Sequence, residues 1–177
     1  MTKIIILRGN SGSGKTTIAK MLQKRLGNGT MLISQDVVKR EILYVKDEKK
    51  QIINDLLFKL AKFGKENCEF VIVEGILNSK HYNNLFEKIS KEFKNNIYAF
   101  YFDIPFEETL KRHKTKQCSE EFGETEMKKW WNEKDLIKII PEILIGKEVS
   151  ANEIVNMIYQ KVQRKESIIW KMIIKNV

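Results

Sequence analysis

Nine consecutive residues, Gly9-Asn10-Ser11-Gly12-Ser13-Gly14-Lys15-Thr16-Thr17, carry the most specific chemistry in the chain. They match G-x-x-x-x-G-K-[ST] without deviation, a pattern in which backbone N–H groups bind a polyphosphate. Three phosphates need more donors at short range than side chains can supply. Glycines therefore let the main chain curl around the anion, and the helix that follows turns its positive end towards it. Lys15 is placed to reach the β- and γ-phosphate oxygens, and the Thr16 hydroxyl to ligate magnesium. The expected ligand is ATP with Mg²⁺, cradled by Gly9 to Thr17.

Phosphoryl transfer asks for more than a cradle. An acceptor hydroxyl needs a carboxylate to orient or deprotonate it, and cations to stabilise the charge on the moving group. Asp36, in Ser34-Gln35-Asp36, is the candidate base, with a plain helix N-cap as its alternative role. Arg40 lies four residues on, shares its expected helical face, and is a candidate for an anionic or polar part of the acceptor. Glu74 closes an apolar run at the place where a magnesium-shell carboxylate belongs, or else it touches the acceptor. Arg112, in Lys111-Arg112-His113-Lys114-Thr115-Lys116, fits a cationic lid over about residues 112–128. Offsetting a helix dipole is its alternative. For Trp130 and Trp131, packing is favoured over stacking on a ring. His81 and His113 are assigned no chemistry.

These residues need elements to hold them. Lys3 to Leu7 is a continuous apolar run ending at glycine, which suits a strand buried on both faces. Thr17 to Leu26 has helical spacing and stops at Gly27. Thr30 to Ser34 is the second strand. Asp36 to Val45 and Glu48 to Phe63 read as helices, Glu69 to Val73 as the third strand, and Tyr82 to Phe93 as an amphipathic helix. Ile97 to Asp103 is the fourth strand, with a helix beginning near Pro105. Glu124 to Lys134 looks helical, Ile143 to Ile145 is a short fifth strand, and Ser150 to Glu153 is a capping box for a last helix. Such alternation predicts a parallel sheet with helices on both faces, where ligands sit beyond the carboxyl ends of the strands.

Composition sets the outer bounds. The 177 residues suffice for one domain, with 42% apolar and 31% charged residues as in globular chains. No apolar run approaches the ~20 residues of a membrane span, and the first apolar run is short for a signal peptide. The expected location is the cytoplasm, without membrane contact. Cys68 and Cys118 show no metal-like spacing and read as free thiols. The net charge of +9 makes nucleic acid a candidate partner, but not the favoured one, because only Arg8, Arg25, Arg40, Arg112 and Arg164 among 32 basic residues are arginine. A monomer or homodimer is expected, and residues 168–177 suit docking on the body or on a second subunit.

The order of Gly9 to Thr17, Ser34-Gln35-Asp36 with Arg40, Val71-Ile72-Val73-Glu74-Gly75, and Phe102-Asp103 leading to Arg112 resembles small P-loop kinases. The resemblance, over about residues 3–162, is to the group of polynucleotide 5′-hydroxyl kinases, chloramphenicol-phosphotransferase-like and zeta-toxin-like kinases, and uridine-kinase-like bacterial proteins. It implies a three-layer α/β P-loop NTPase fold with a five-stranded parallel sheet, as in nucleoside-monophosphate kinases. It also implies Asp36 as general base, Arg40 as an acceptor contact and Arg112 as the lid arginine. Two residues depart from the pattern: Lys116 where a second lid arginine is expected, and Glu74 where several relatives have aspartate. No N-K-x-D guanine-reading motif is present, since Asn132-Glu133-Lys134-Asp135 displaces its lysine. The sequence reading is a single kinase domain over residues 1–177. It moves the γ-phosphoryl group of ATP to a hydroxyl of a small, nucleoside- or antibiotic-like acceptor. A polynucleotide 5′-hydroxyl kinase and a non-catalytic ATP-gated module are the alternatives.

Overall fold

Two periodicities meet in the strand that opens the chain. Along β1 (Lys3–Gly9), Ile4 and Ile6 enter one hydrophobic cluster and Ile5 and Leu7 enter another, all fully buried. Side chains of a strand alternate between faces, so a run apolar at every position must be covered on both. The computed structural model describes residues 1–46, 49–114 and 123–163, and shows both covers. The expected lid is described only in part, since residues 115–122 lie outside, Lys116 and Cys118 among them. The tail, residues 164–177, also lies outside.

Five parallel strands form the sheet in the order β2-β3-β1-β4-β5. They are β1, β2 (Thr30–Ser34), β3 (Phe70–Gly75), β4 (Ile97–Phe102) and β5 (Glu142–Ile145). Helices α3 (Lys50–Asn67) and α4 (Asn83–Phe93) cover the face that carries Ile4, Ile6, Val71 and Val73. Helices α1 (Lys15–Leu26) and α7 (Ala151–Gln163) cover the face that carries Ile5, Leu7, Ile72 and Phe100. This is the three-layer P-loop NTPase architecture with helices on both faces of a five-stranded parallel sheet. Its order places the turn after β1 at the centre, flanked by the ends of β3 and β4.

Two expected helices differ. In place of one helix from Asp36 to Val45, a short α2 (Gln35–Val37) runs into a π-turn over Val38–Ile42. The Leu43 N–H reaches back to the Val38 carbonyl at 2.9 Å, which widens the turn. The helix expected over Glu124 to Lys134 stops early, as α6 (Glu124–Lys129). Beyond it, Asn132 and Asp135 bond to distant parts of the protein instead of continuing the helical ladder. The remaining helix, α5 (Phe106–Lys114), follows Pro105 as expected. The capping box at α7 is present: the Ser150 N–H donates to Glu153 Oε2 at 2.9 Å, and the Glu153 N–H donates to Ser150 Oγ at 3.4 Å.

Candidate active site

The loop between β1 and α1 is shaped by its neighbours as well as by its own glycines. Gly12 has φ of +77°, and a Cβ there would come within 2.6 Å of the Thr109 carbonyl on α5. No other residue type meets both conditions without strain. Helix α1 begins at Lys15 with no side-chain cap and no acidic residue in its first turn, so its positive end faces the loop. The Lys15 ammonium folds over the loop, donating to the Asn10 carbonyl at 2.7 Å and to Ser13 Oγ at 3.2 Å. Lys15 is buried, whereas Thr16 and Thr17 are exposed. Gly9 to Thr17 thus forms a concave amide-lined loop at the carboxyl end of the sheet.

Glu74 joins this loop to β2. Its carboxylate is 3% exposed and accepts from Thr16 Oγ1 at 3.0 Å and from Ser34 Oγ at 2.6 Å. The N-cap serine of α2 therefore commits its hydroxyl to Glu74 and makes no side-chain cap to its own helix. Two hydroxyls and a carboxylate at the cradle's rim are hard oxygen donors, a set that fits Mg²⁺ completed by phosphate oxygens and water. No cluster of three or more His, Cys, Asp or Glu occurs among the described residues, and a phosphate-bridged magnesium needs none.

Asp36 is an exposed residue in the first turn of α2, facing the cleft. It is not the N-cap, which is Ser34, so the capping role is excluded. Its neighbour fixes it. The Gln35 side chain is 9% exposed, accepts from the Leu77 N–H at 3.0 Å and donates to the Tyr82 hydroxyl at 2.9 Å. A Cβ on Gly75 would meet Gln35 Oε1 at 2.4 Å, so that glycine makes room for the clamp. Arg40 lines the same cleft as Asp36 despite the π-turn, and Lys39 beside it does so as well.

Arg112 comes over the loop from α5. Its Nε donates to Glu108 at 2.9 Å, and Nη1 lies 3.4 Å from the Ser13 carbonyl. The Arg112 bond holds the Glu108 carboxyl below its ordinary range. The cleft between these elements, about 630 Å³, is lined by Gly12, Lys15, Thr16, Asp36, Arg40 and Glu74, among others. His113, buried, and the exposed His81 also line it. So does Trp130, at 36% exposure. Trp131 does pack, edge-on against Phe106 at 5.0 Å.

A second polar system lies beneath the cradle. Arg8, fully buried in β1, pairs with Asp135 at 2.8 Å and with Glu142 at 2.9 Å, and donates to the Leu77 and Asp135 carbonyls. Asp135 also accepts from the Ser79 N–H at 2.8 Å. The Asn10 side chain bonds both to the Asn132 carbonyl, at 2.8 Å, and to its N–H, at 2.9 Å. Asn132 Oδ1 accepts from Asn78 at 2.8 Å. These bonds replace helical ones and explain why α6 stops at Lys129. Burial raises the carboxyl pKa of Glu142, opposed by Arg8, and burial likewise raises the hydroxyl of Tyr101 beside it. Sequence reading missed this system. Its one available signal was Arg8 itself, a charge ending a run that must be buried on both faces.

The sheet order and the amide cradle define the class as the P-loop NTPase fold, in the form found in small kinases. A family model described as AAA domain matches residues 4–134, and the chain belongs to that family. Solved structures with the same fold include a gluconokinase from Sinorhizobium meliloti, with TM-score 0.69, 13% identity, and 99% of this chain and 98% of that one covered. A tunicamycin resistance protein from Deinococcus radiodurans superposes with TM-score 0.67 and 16% identity, covering 93% and 98%. The APS kinase of Mycobacterium tuberculosis, solved with AMPPNP and APS, gives 0.65 and 14%, covering 92% and 98%. Threonine synthase-like 1 from Mus musculus is 25% identical over 122 residues; that match spans 69% of this chain and 16% of the mouse protein. Among the described residues, no helix is long and apolar enough to cross a membrane.

Proposed function

We propose that the protein is an ATP-dependent kinase that transfers the γ-phosphoryl group to a hydroxyl of a small acceptor. One observation supports the reading: Gly12, Lys15 and Thr16 of the loop line one cleft together with Asp36. Fold neighbours described as kinases support it, and one of them was solved with an ATP analogue.

In this reading the backbone N–H groups of the loop and the Lys15 ammonium hold the β- and γ-phosphates. Thr16, with Glu74 behind it, holds Mg²⁺, which supplies charge neutralisation when bound. Asp36 accepts the acceptor's hydroxyl proton or orients that hydroxyl. The Gln35 clamp keeps Asp36 at a constant distance from the loop, and Arg112 stabilises charge as the transferred group moves.

Asp36→Asn tests it. The expected outcome is a fall in acceptor-dependent ADP release of about 10²-fold or more with ATP affinity kept, because a positioned base contributes ~10²–10⁴. Full turnover in the Asp36→Asn variant removes the base assignment.

A further inference from the structure

Three consecutive residues of the loop after β3 each answer a different part of the site. The Leu77 carbonyl accepts two bonds from Arg8, at 2.8 and 3.1 Å, and its N–H donates to Gln35 Oε1 at 3.0 Å. Ser79 donates its N–H to Asp135 at 2.8 Å. Between them, Asn78 donates from Nδ2 to Asn132 Oδ1 at 2.8 Å. Leu77 is fully buried with φ of +42°, a left-handed conformation that a leucine keeps only where its surroundings over-determine it. Bonds to both its N–H and its carbonyl do so here. The loop is held.

Asn78 differs from its two neighbours in what it joins. On one side, Asn132 grips the Asn10 side chain of the phosphate loop through both its backbone groups, so that amide cannot turn without breaking a bond. The same Asn10 offers its carbonyl to the Lys15 ammonium at 2.7 Å. On the other side, Asn78 Oδ1 accepts from the N–H groups of Lys80 and His81, at 3.1 and 3.2 Å. The Asn78 carbonyl accepts from the Tyr82 N–H at 3.0 Å. An asparagine that bonds to the backbone just after it closes a tight turn. That turn delivers Tyr82, 5% exposed, to its bond with Gln35 Nε2 at 2.9 Å. Gln35 immediately precedes Asp36.

We propose that Asn78 is a positioning residue that sets where Asp36 stands relative to the phosphate loop. It acts through Asn132 and Asn10 on one side and through Tyr82 and Gln35 on the other. This rests on the kinase reading above and deepens it. Asn78 touches no reacting atom; its effect runs through groups that are each bonded at both ends. A nucleotide that fixes Asn10 therefore also fixes Tyr82 and Gln35, which it need not touch. Sites coupled in this way change each other's equilibria by roughly 5–150-fold.

The test uses the full chain, amide hydrogen exchange, and a non-hydrolysable ATP analogue with Mg²⁺. Asn78→Ser keeps a hydroxyl able to close the turn, but one too short to reach Asn132. In the unaltered protein the analogue is expected to slow exchange within residues 9–17 and, by about 10-fold, at the Leu77 and Tyr82 amides. In Asn78→Ser the slowing at Leu77 and Tyr82 is expected to shrink to ~2-fold or less, with the slowing at 9–17 and the Kd of the analogue kept. A merely structural role gives a different result: exchange quickens with and without the analogue, and the ratio between the two stays. Asn132→Ala approaches from the other end, because it removes the Oδ1 that Asn78 binds and leaves the backbone grip on Asn10. It is expected to give the same loss, which keeps the proposal testable where one variant folds poorly. Slowing at Leu77 and Tyr82 that survives in either folded variant overturns the proposal. So does its absence from the unaltered protein while residues 9–17 are protected. The kinase reading fails separately, by the analogue itself not binding.

Discussion

Arg8 and Lys15 are two buried cations on one strand–loop–helix unit, and they are buried for opposite reasons. Arg8 has no exposed surface and is matched by Asp135 and Glu142 within 2.9 Å. Lys15, 7% exposed, donates to neutral oxygens of its own loop and lines the cleft. A charge answered by carboxylates inside the fold is bound to structure. In the proposed function, the Lys15 charge at the bottom of the loop answers the phosphates of the nucleotide. The same contrast separates the two layers of the site: the cradle lines the cleft, and the network below it ties the cradle, the loop after β3 and residues 130–135 into one unit.

Breaking each layer is expected to give a different signature. Arg8→Ala is the larger insult to the fold, because it leaves Asp135 and Glu142 buried without their partner. Losing one member of a buried ion-pair network costs roughly 3–5 kcal/mol, read as a lower denaturation midpoint in urea. Lys15→Ala is expected to leave that midpoint nearly unchanged while turnover falls about 10²-fold, which corresponds to ~3 kcal/mol of lost transition-state stabilisation. If Lys15→Ala unfolds the protein, or Arg8→Ala costs no stability, the division between the two cations is wrong.

Asn10→Ala falls between these. It deletes both bonds to the Asn132 backbone and leaves that N–H without its acceptor, at about 1–3 kcal/mol of stability. Because Asn132 also holds Asn78, hydrogen exchange is expected to quicken at residues 76–79 and 130–135 together. Quickening at only one of the two segments separates them. The smallest effect concerns acid. Glu108 and Glu153 have carboxyl pKa values depressed below 4.5 by bonds from Arg112 and Ser150. A depressed value means stability that is present above the ordinary pKa and lost as pH falls through the folded one. The thermal midpoint is therefore expected to hold from neutral pH to about 4.5 and decline below it, and Glu153→Gln is expected to blunt the decline.

The legibility of the site followed the physics of each part. The cradle was readable because a main-chain anion site requires glycines and one lysine at fixed spacing, and local sequence suffices to specify it. Glu74 and Arg112 were readable by place, at the end of a strand and the end of a helix. Asp36 was readable as a residue but not in its relation to Gln35, whose clamp depends on Gly75 some forty positions away. The lure in the sequence was Asn132-Glu133-Lys134-Asp135, which looked like a failed base-reading motif inside a helix. In the fold its first and last residues are ties to Asn10 and Arg8, and the helix ends before it begins.

The chain's own residues therefore determined the strands, most of the helices and the phosphate loop, since each depends on local periodicity or on a contiguous motif. Tertiary structure alone decided which side chains answer Arg8, where α6 stops, and that Lys39, Arg40 and Lys50 line one cleft with Lys15. Those outcomes depend on contacts between residues far apart in the chain, and a buried charge selects its partners only once the sheet has brought them within reach.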